Sequence, residues 1–192
     1  MNFEISPRIE DYRARIAEFV ARKILPLEDD PDAFDAHGNI ALDRLGPLRE
    51  KARAAGLWCL QLKEETGGAG LGKVGMAVCY EEMSRSIFGP VVFNAAPPDD
   101  GNMMLLEAVG TPEQKARWLA PIVAGEVRSA FAMTEPHPGS GSDPSMMLTR
   151  AERCGDTYVV RGRKWFITGA EAASHFILIA RTSDDPRHGL TA

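Results

Sequence analysis

Cysteine is scarce in this chain, and what there is lies scattered. Cys59, Cys79 and Cys154 form no C-x-x-C pair, which argues against a disulfide framework and a thiolate metal site and suits a reducing, cytoplasmic setting. The histidines His37, His137, His175 and His188 show no i, i+4 pair, so no metal centre is expected. Basic runs are missing too. The 22 Lys and Arg against 27 Asp and Glu leave a formal charge of −5, a poor basis for binding nucleic acid. Apolar runs such as Phe176 to Ala180 are far too short to span a bilayer, and the early Glu4, Glu10 and Asp11 leave no apolar stretch for a signal peptide.

What is present is ordinary globular material. With 44% hydrophobic and 26% charged residues over 192 positions, disorder of the whole is not expected. One or two domains that bury roughly 70% of the unfolded surface are. The densest acidic cluster, Glu28, Asp29, Asp30, Asp32 and Asp35, reads as a solvated loop.

Helical periodicity fills the first two thirds. Ser6-Pro7 pairs a side-chain cap with proline at the first helical position, and Ile9, Tyr12, Ile16, Phe19, Val20 and Ile24 recur at helical spacing until Pro26. A second helix is predicted over residues 42–55 with Gly56 as its cap, and Gly46-Pro47 threatens to break it early. Trp58 reads as a core residue. A third helix is predicted over 73–85 with Val74, Val78 and Met83 inward, stopped by Gly89-Pro90, and a fourth over 103–109. Thr111, Pro112 and Gln114 spell a capping box that opens a helix burying Trp118, Leu119, Ile122 and Val123.

Two features in this region invite chemistry and support little of it. ETGGAGLG (residues 65–72) has Ala69 where a dinucleotide fingerprint needs glycine, and Gly72-Lys73 is followed by Val74 rather than Ser or Thr. A flexible turn, with a pocket beside it at most, is the better account. Glu81-Glu82 are adjacent on a helix and diverge by about 100°, so a solvated face outweighs a carboxylate pair.

After Arg128 the period changes from helical to alternating. Residues 130–133, 158–161, 165–168 and 176–181 are predicted as strands, with turns at Cys154-Gly155-Asp156, Arg161-Gly162-Arg163 and Asp184-Asp185-Pro186. HGLTA ends the chain where a further strand is expected, which would leave a half-built sheet with an open edge.

The loop FAMTEPHPGSGSD (residues 131–143) leaves an apolar strand and is rich in small residues that let a backbone approach a ligand closely. Downstream, RGRKWFITGA (residues 161–170) sets an aromatic pair before Ile167, Thr168 and a turn. Together, FAMTEP…GSD and GRKWFITGA resemble the acyl-CoA dehydrogenase flavoenzymes, and the resemblance covers essentially the whole chain. It implies an α+β architecture. An N-terminal helical domain (1–128) is followed by an incomplete antiparallel middle β-domain (129–192), and the family's C-terminal four-helix bundle is absent.

The resemblance further implies FAD as cofactor and oxidation of an acyl-CoA to a trans-2-enoyl-CoA, with an electron-transfer flavoprotein as electron acceptor. A dimeric or tetrameric assembly is expected on the same analogy. The family's catalytic carboxylate lies in the bundle, so no residue of this chain is nominated as the base. Cofactor contacts are expected from Phe131, Met133, Thr134, Gly141, Ser142, Phe166, Ile167 and Thr168. In these roles Phe166 walls the ring and Thr168 gives a hydroxyl bond to flavin N5. Either Trp165 or Phe166 faces the ring, and Ser140 competes with Ser142 because the loop is longer than the family's usual TEPxAGSD. Pro97, Gly101 and Ser142 are expected at the substrate. An acyl-CoA oxidase, a flavin monooxygenase or a non-catalytic assembly chain are the competing readings.

Overall fold

The computed structural model describes residues 4–185 and 188–192, so Pro186 of the predicted turn lies outside the described residues. Two compact units follow one another along the chain, Met1–Lys115 and Ala116–Ala192.

The first unit is helical. Helix α1 (Pro7–Phe19) starts where Ser6 Oγ accepts from the Ile9 amide at 3.4 Å, and it runs on as a π-turn over Val20–Ile24. Its apolar face buries Ile16, Val20 and Ile24 completely. Helix α2 (Leu42–Ala54) passes straight through Gly46-Pro47. Pro47 is exposed, so the carbonyl deprived of its partner faces water and the helix survives. Helix α3 (Gly72–Met83) packs on α1. It buries Met76, Cys79 and Met83 and leaves Val74 half exposed, against expectation. A short α4 (Gly89–Val92) follows, and α5 (Asp99–Val109) begins four residues before the predicted start. Ring contacts of Phe19 with Phe93 (5.3 Å) and of Phe34 with Phe88 (4.9 Å) tie these elements into one core. The capping box forms in full at α6 (Pro112–Gln114), with the Thr111 amide donating to Gln114 Oε1 at 2.8 Å and the Gln114 amide to Thr111 Oγ1 at 3.2 Å.

In each acidic feature one carboxylate is engaged, while Asp29, Asp32 and Asp35 stay exposed as expected. Glu28 Oε1 accepts from Ser86 Oγ at 2.5 Å and from the Ile87 amide at 2.9 Å. Glu82 is buried between Arg13 (3.2 Å) and Arg85 (3.3 Å), while Glu81 stays exposed. The glycine turn spends its amides internally, since Gly67, Gly68 and Gly70 donate to the carbonyls of Glu64, Lys63 and Leu62. No phosphate cradle remains. A cavity of about 450 Å³ does open beside Gly67 and Gly68, lined also by Tyr12, Arg53 and Trp58.

In the second unit, α7 (Ala120–Val123) leads into β1 (Arg128–Ala132). Next come β2 (Arg150–Cys154), β3 (Thr157–Arg161), β4 (Ala173–Leu178), β5 (Ala180–Arg181) and β6 (Leu190–Thr191). The expected class, helices followed by a partial sheet, holds, but the pairing is mixed rather than antiparallel. Strand β1 pairs parallel with β4, and β2 pairs antiparallel with β3 and parallel with β5. Some forty residues separate β1 from β4, ample for the crossover a parallel pair needs. The predicted strand over 165–168 does not form: Phe166 adopts φ 50° and Gly169 φ 73°, which turns the chain out of the extended region.

Candidate functional site

Where β1 ends, Met133 and Thr134 leave the sheet, and the 161–170 block comes alongside them. The Trp165 amide donates to Thr134 O at 3.1 Å, and Lys164 Nζ donates to Met133 O at 2.8 Å. The two blocks singled out in the sequence are therefore neighbours.

Glu135 lies beneath this junction, its side chain 2% exposed. Oε1 accepts from the Thr149 amide (2.8 Å) and from Lys164 Nζ (3.0 Å); Oε2 accepts from the amides of Leu148 (2.7 Å) and Ser140 (3.3 Å). That fills the four acceptor positions of a carboxylate. Burial alone pushes Glu135 up, but the contacts from Thr149, the Leu148 and Thr149 amides and Lys164 outweigh it and hold the group at about 2. The carboxylate is ionised near neutral pH and fully engaged, so it is unsuited to proton abstraction. Neither Glu135 nor Lys164 stood out in the sequence. The available signal was a lone acid among prolines and glycines in one block, and a lysine one position before the aromatic pair in the other.

The loop closes on that carboxylate. Ser140 is fully buried, its Oγ donating to Met133 O at 3.1 Å and its carbonyl accepting from the Glu135 amide at 2.7 Å. It is a structural residue, whereas Gly141 and Ser142 are exposed. Of the two serines, only Ser142 presents itself to a ligand.

Around the junction lies an aromatic surface. Trp165 is 42% and Phe166 82% exposed, their ring centroids 4.6 Å apart, and Phe131 is partly exposed as well. A bulky residue at φ 50° costs energy, and such strain tends to cluster at functional sites. Thr168 is exposed, while Met133, Thr134 and Ile167 are half-buried. Open aromatic side chains and the exposed hydroxyls of Thr168 and Ser142 in the same two blocks suit a planar ring with polar edges, so the residues present fit a flavin. Pro97 and Gly101 lie in the first unit, Pro97 exposed just before α5 and Gly101 in its first turn. An added side chain at Gly101 would meet open space.

Residues 6–126 match the acyl-CoA dehydrogenase N-terminal domain, and residues 130–192 match the acyl-CoA dehydrogenase middle domain.

The chain belongs to the acyl-CoA dehydrogenase family.

Among relatives, acyl-CoA dehydrogenase family member 10 of Mus musculus is 39% identical over 176 residues, which is 86% of this chain and 16% of that protein. The probable acyl-CoA dehydrogenase FadE2 of Mycobacterium tuberculosis is 37% identical over 97% of this chain and 46% of its own length. A putative acyl-CoA dehydrogenase from Mycobacterium abscessus superposes with a TM-score of 0.87 at 36% identity, covering 96% of this chain and 48% of that one. A solved FAD complex of PigA aligns with a TM-score of 0.74 at 26% identity, covering 99% and 48%. The acyl-CoA dehydrogenase match thus takes in nearly all of this chain, which spans about half the length of FadE2 and of the solved Mycobacterium abscessus protein, and less of family member 10.

Among the described residues no group of His, Cys, Asp and Glu could hold a metal ion, and no helix is long and apolar enough to cross a membrane. Cys59 and Cys79 are buried thiols pushed up to about 11 by burial, and Cys154 is exposed.

Proposed function

We propose that this chain is part of an FAD-dependent acyl-CoA dehydrogenase that oxidises an acyl-CoA to a trans-2-enoyl-CoA and passes electrons to an electron-transfer flavoprotein. The observation that carries the reading is the Trp165 N–H to Thr134 O bond. It joins the two flavin-type blocks into one surface of exposed rings and hydroxyls. Bound FAD would supply hydride acceptance.

In this reading Phe131, Met133 and Thr134 run along the ring and Phe166 or its neighbour Trp165 walls it. Thr168 donates toward N5, where a fixed donor favours the electron-rich reduced state. Ile167, Gly141 and Ser142 complete the contacts; Ser142 is also assigned to the substrate in the second unit, as Pro97 and Gly101 are in the first. The α-proton base comes from outside these residues, because Glu135 is committed to its four bonds. The same reading sets the domain boundary at residues 128/129 and expects a cytoplasmic homo-oligomer. The relationship to a protein solved with FAD supports the cofactor assignment.

The test is spectroscopic. Native protein should purify yellow, and anaerobic addition of acyl-CoA thioesters of graded length should bleach the flavin band. Colourless protein that takes up no FAD, or a bound flavin that no acyl-CoA reduces, would overturn the assignment.

A further inference from the structure

A buried polar cluster of the second unit is centred on Lys164 and Glu135, neither of them a proposed cofactor contact. Lys164 Nζ directs three bonds, to Met133 O, Glu135 Oε1 and Met147 Sδ, and an ammonium has three to give. Glu135 accepts four. The pair is nearly removed from water, with side-chain exposures of 11% and 2%. Four stretches converge on it: 133–135, 139–140, 147–149 and 164–165.

We propose that Lys164 and Glu135 are positioning residues, a buried ion pair that fixes the register in which residues 133–134 meet residues 165–168. The inference rests on the flavin reading of those segments. Thr134 and Trp165, the residues joined across the junction, each adjoin one member of the pair in sequence. Apolar packing could hold the same segments together, but it is non-directional and lets them slide. Where residues 133–134 continue β1, a slip of one residue would turn Thr134 to the opposite face and break its bond to the Trp165 amide. Six directional bonds on one ion pair forbid that slip. The backbone has been cleared to let the network close. A Cβ added at Gly139 would lie 2.5 Å from Glu135 Oε2, and one at Gly162 would collide with Thr149. The carboxylate also cancels the ammonium, so the clamp adds no net charge beside the ring.

The experiment compares native protein with K164M and with the double variant E135Q/K164M, without and with FAD. It follows amide hydrogen exchange at Trp165, the visible spectrum, FAD affinity and Tm. In K164M the Trp165 amide should exchange roughly tenfold faster or more even without FAD, and FAD affinity should fall by a similar factor, because a buried charge is left unpaired. The double variant removes that lone charge and keeps the assay open if K164M fails to fold. It should regain Tm while Trp165 stays unprotected and the flavin spectrum stays shifted. Wild-type protection at Trp165 in either variant, or recovery of protection and spectrum together with Tm, would overturn the proposal. Wild-type protein that takes up no FAD would sink the flavin reading, and the amide exchange would still decide whether the pair sets the register.

Discussion

Glu135 keeps a full charge where almost no water reaches it, and its acidity measures how well the loop is built. Its pKa falls from 4.5 to about 2 in the folded chain, worth about 3 kcal/mol at about 1.4 kcal/mol per pKa unit. Because the folded value is the depressed one, this stability is complete above about pH 4.5 and drains away as pH drops toward 2. Denaturant unfolding between pH 5 and 2 should show that acid slope, and in E135Q it should be shallower, since only the other depressed carboxylates, such as Asp35 and Asp184, remain; equal slopes would mean the carboxylate is not held as described. Thr168 makes a different prediction. Its exposed hydroxyl is free to bond flavin N5, so Thr168→Ala should cost about 1–3 kcal/mol in flavin reduction if that bond is sealed from water by substrate. Stopped-flow reduction at an unchanged rate would remove Thr168 from the site. Sequence made Thr168 legible because a resemblance pointed to it. Glu135 and Lys164 stayed hidden because each is unremarkable alone, and their meaning arises from a contact across twenty-nine positions.

At the scale of elements, local signals carried where local physics decides. Ser6-Pro7 and the Thr111/Gln114 box form as their spacing implies, since a cap depends on residues three apart. Thr111→Ala removes one of those bonds outright and should cost about 1 kcal/mol, or roughly 2–4 °C in Tm for a chain of this size. Calorimetry showing no change would mean the helix start is held by packing instead. The signals failed where distant partners decide. Alternating residues in KWFIT promise a strand, yet the segment spends its one cross-chain amide bond on Thr134 O and turns at Phe166. The parallel pairing of β1 with β4 was equally invisible, because nothing in either strand names its partner. Glu82 read as solvated because pattern alone could not supply Arg13, which reaches it from α1.

Over the whole molecule the two units are built differently. The first buries large side chains without reserve, Phe88, Phe93, Leu57, Leu60 and Met103 among them. In the second, the buried residues are mainly small or polar, among them Ala130, Ala132, Ala180, Ser129, Ser140, Glu135 and Thr149, with Leu119, Ile122 and Met147 as larger exceptions. Its big apolar side chains face outward: Phe131, Tyr158, Val159, Val160, Trp165, Phe166 and Phe176 are all at least one-third exposed. Exposed apolar area on that scale marks an interaction surface, and the family relatives it matches run to about twice this length or more. A flavin laid against the exposed Trp165 and Phe166 rings would be covered from one side only, whereas tight small-molecule sites enclose most of their ligand. The 192 residues expressed alone should therefore bind FAD weakly. Titration calorimetry on the monomeric chain checks this directly, and tight one-to-one uptake would show that the exposed rings enclose the cofactor unaided.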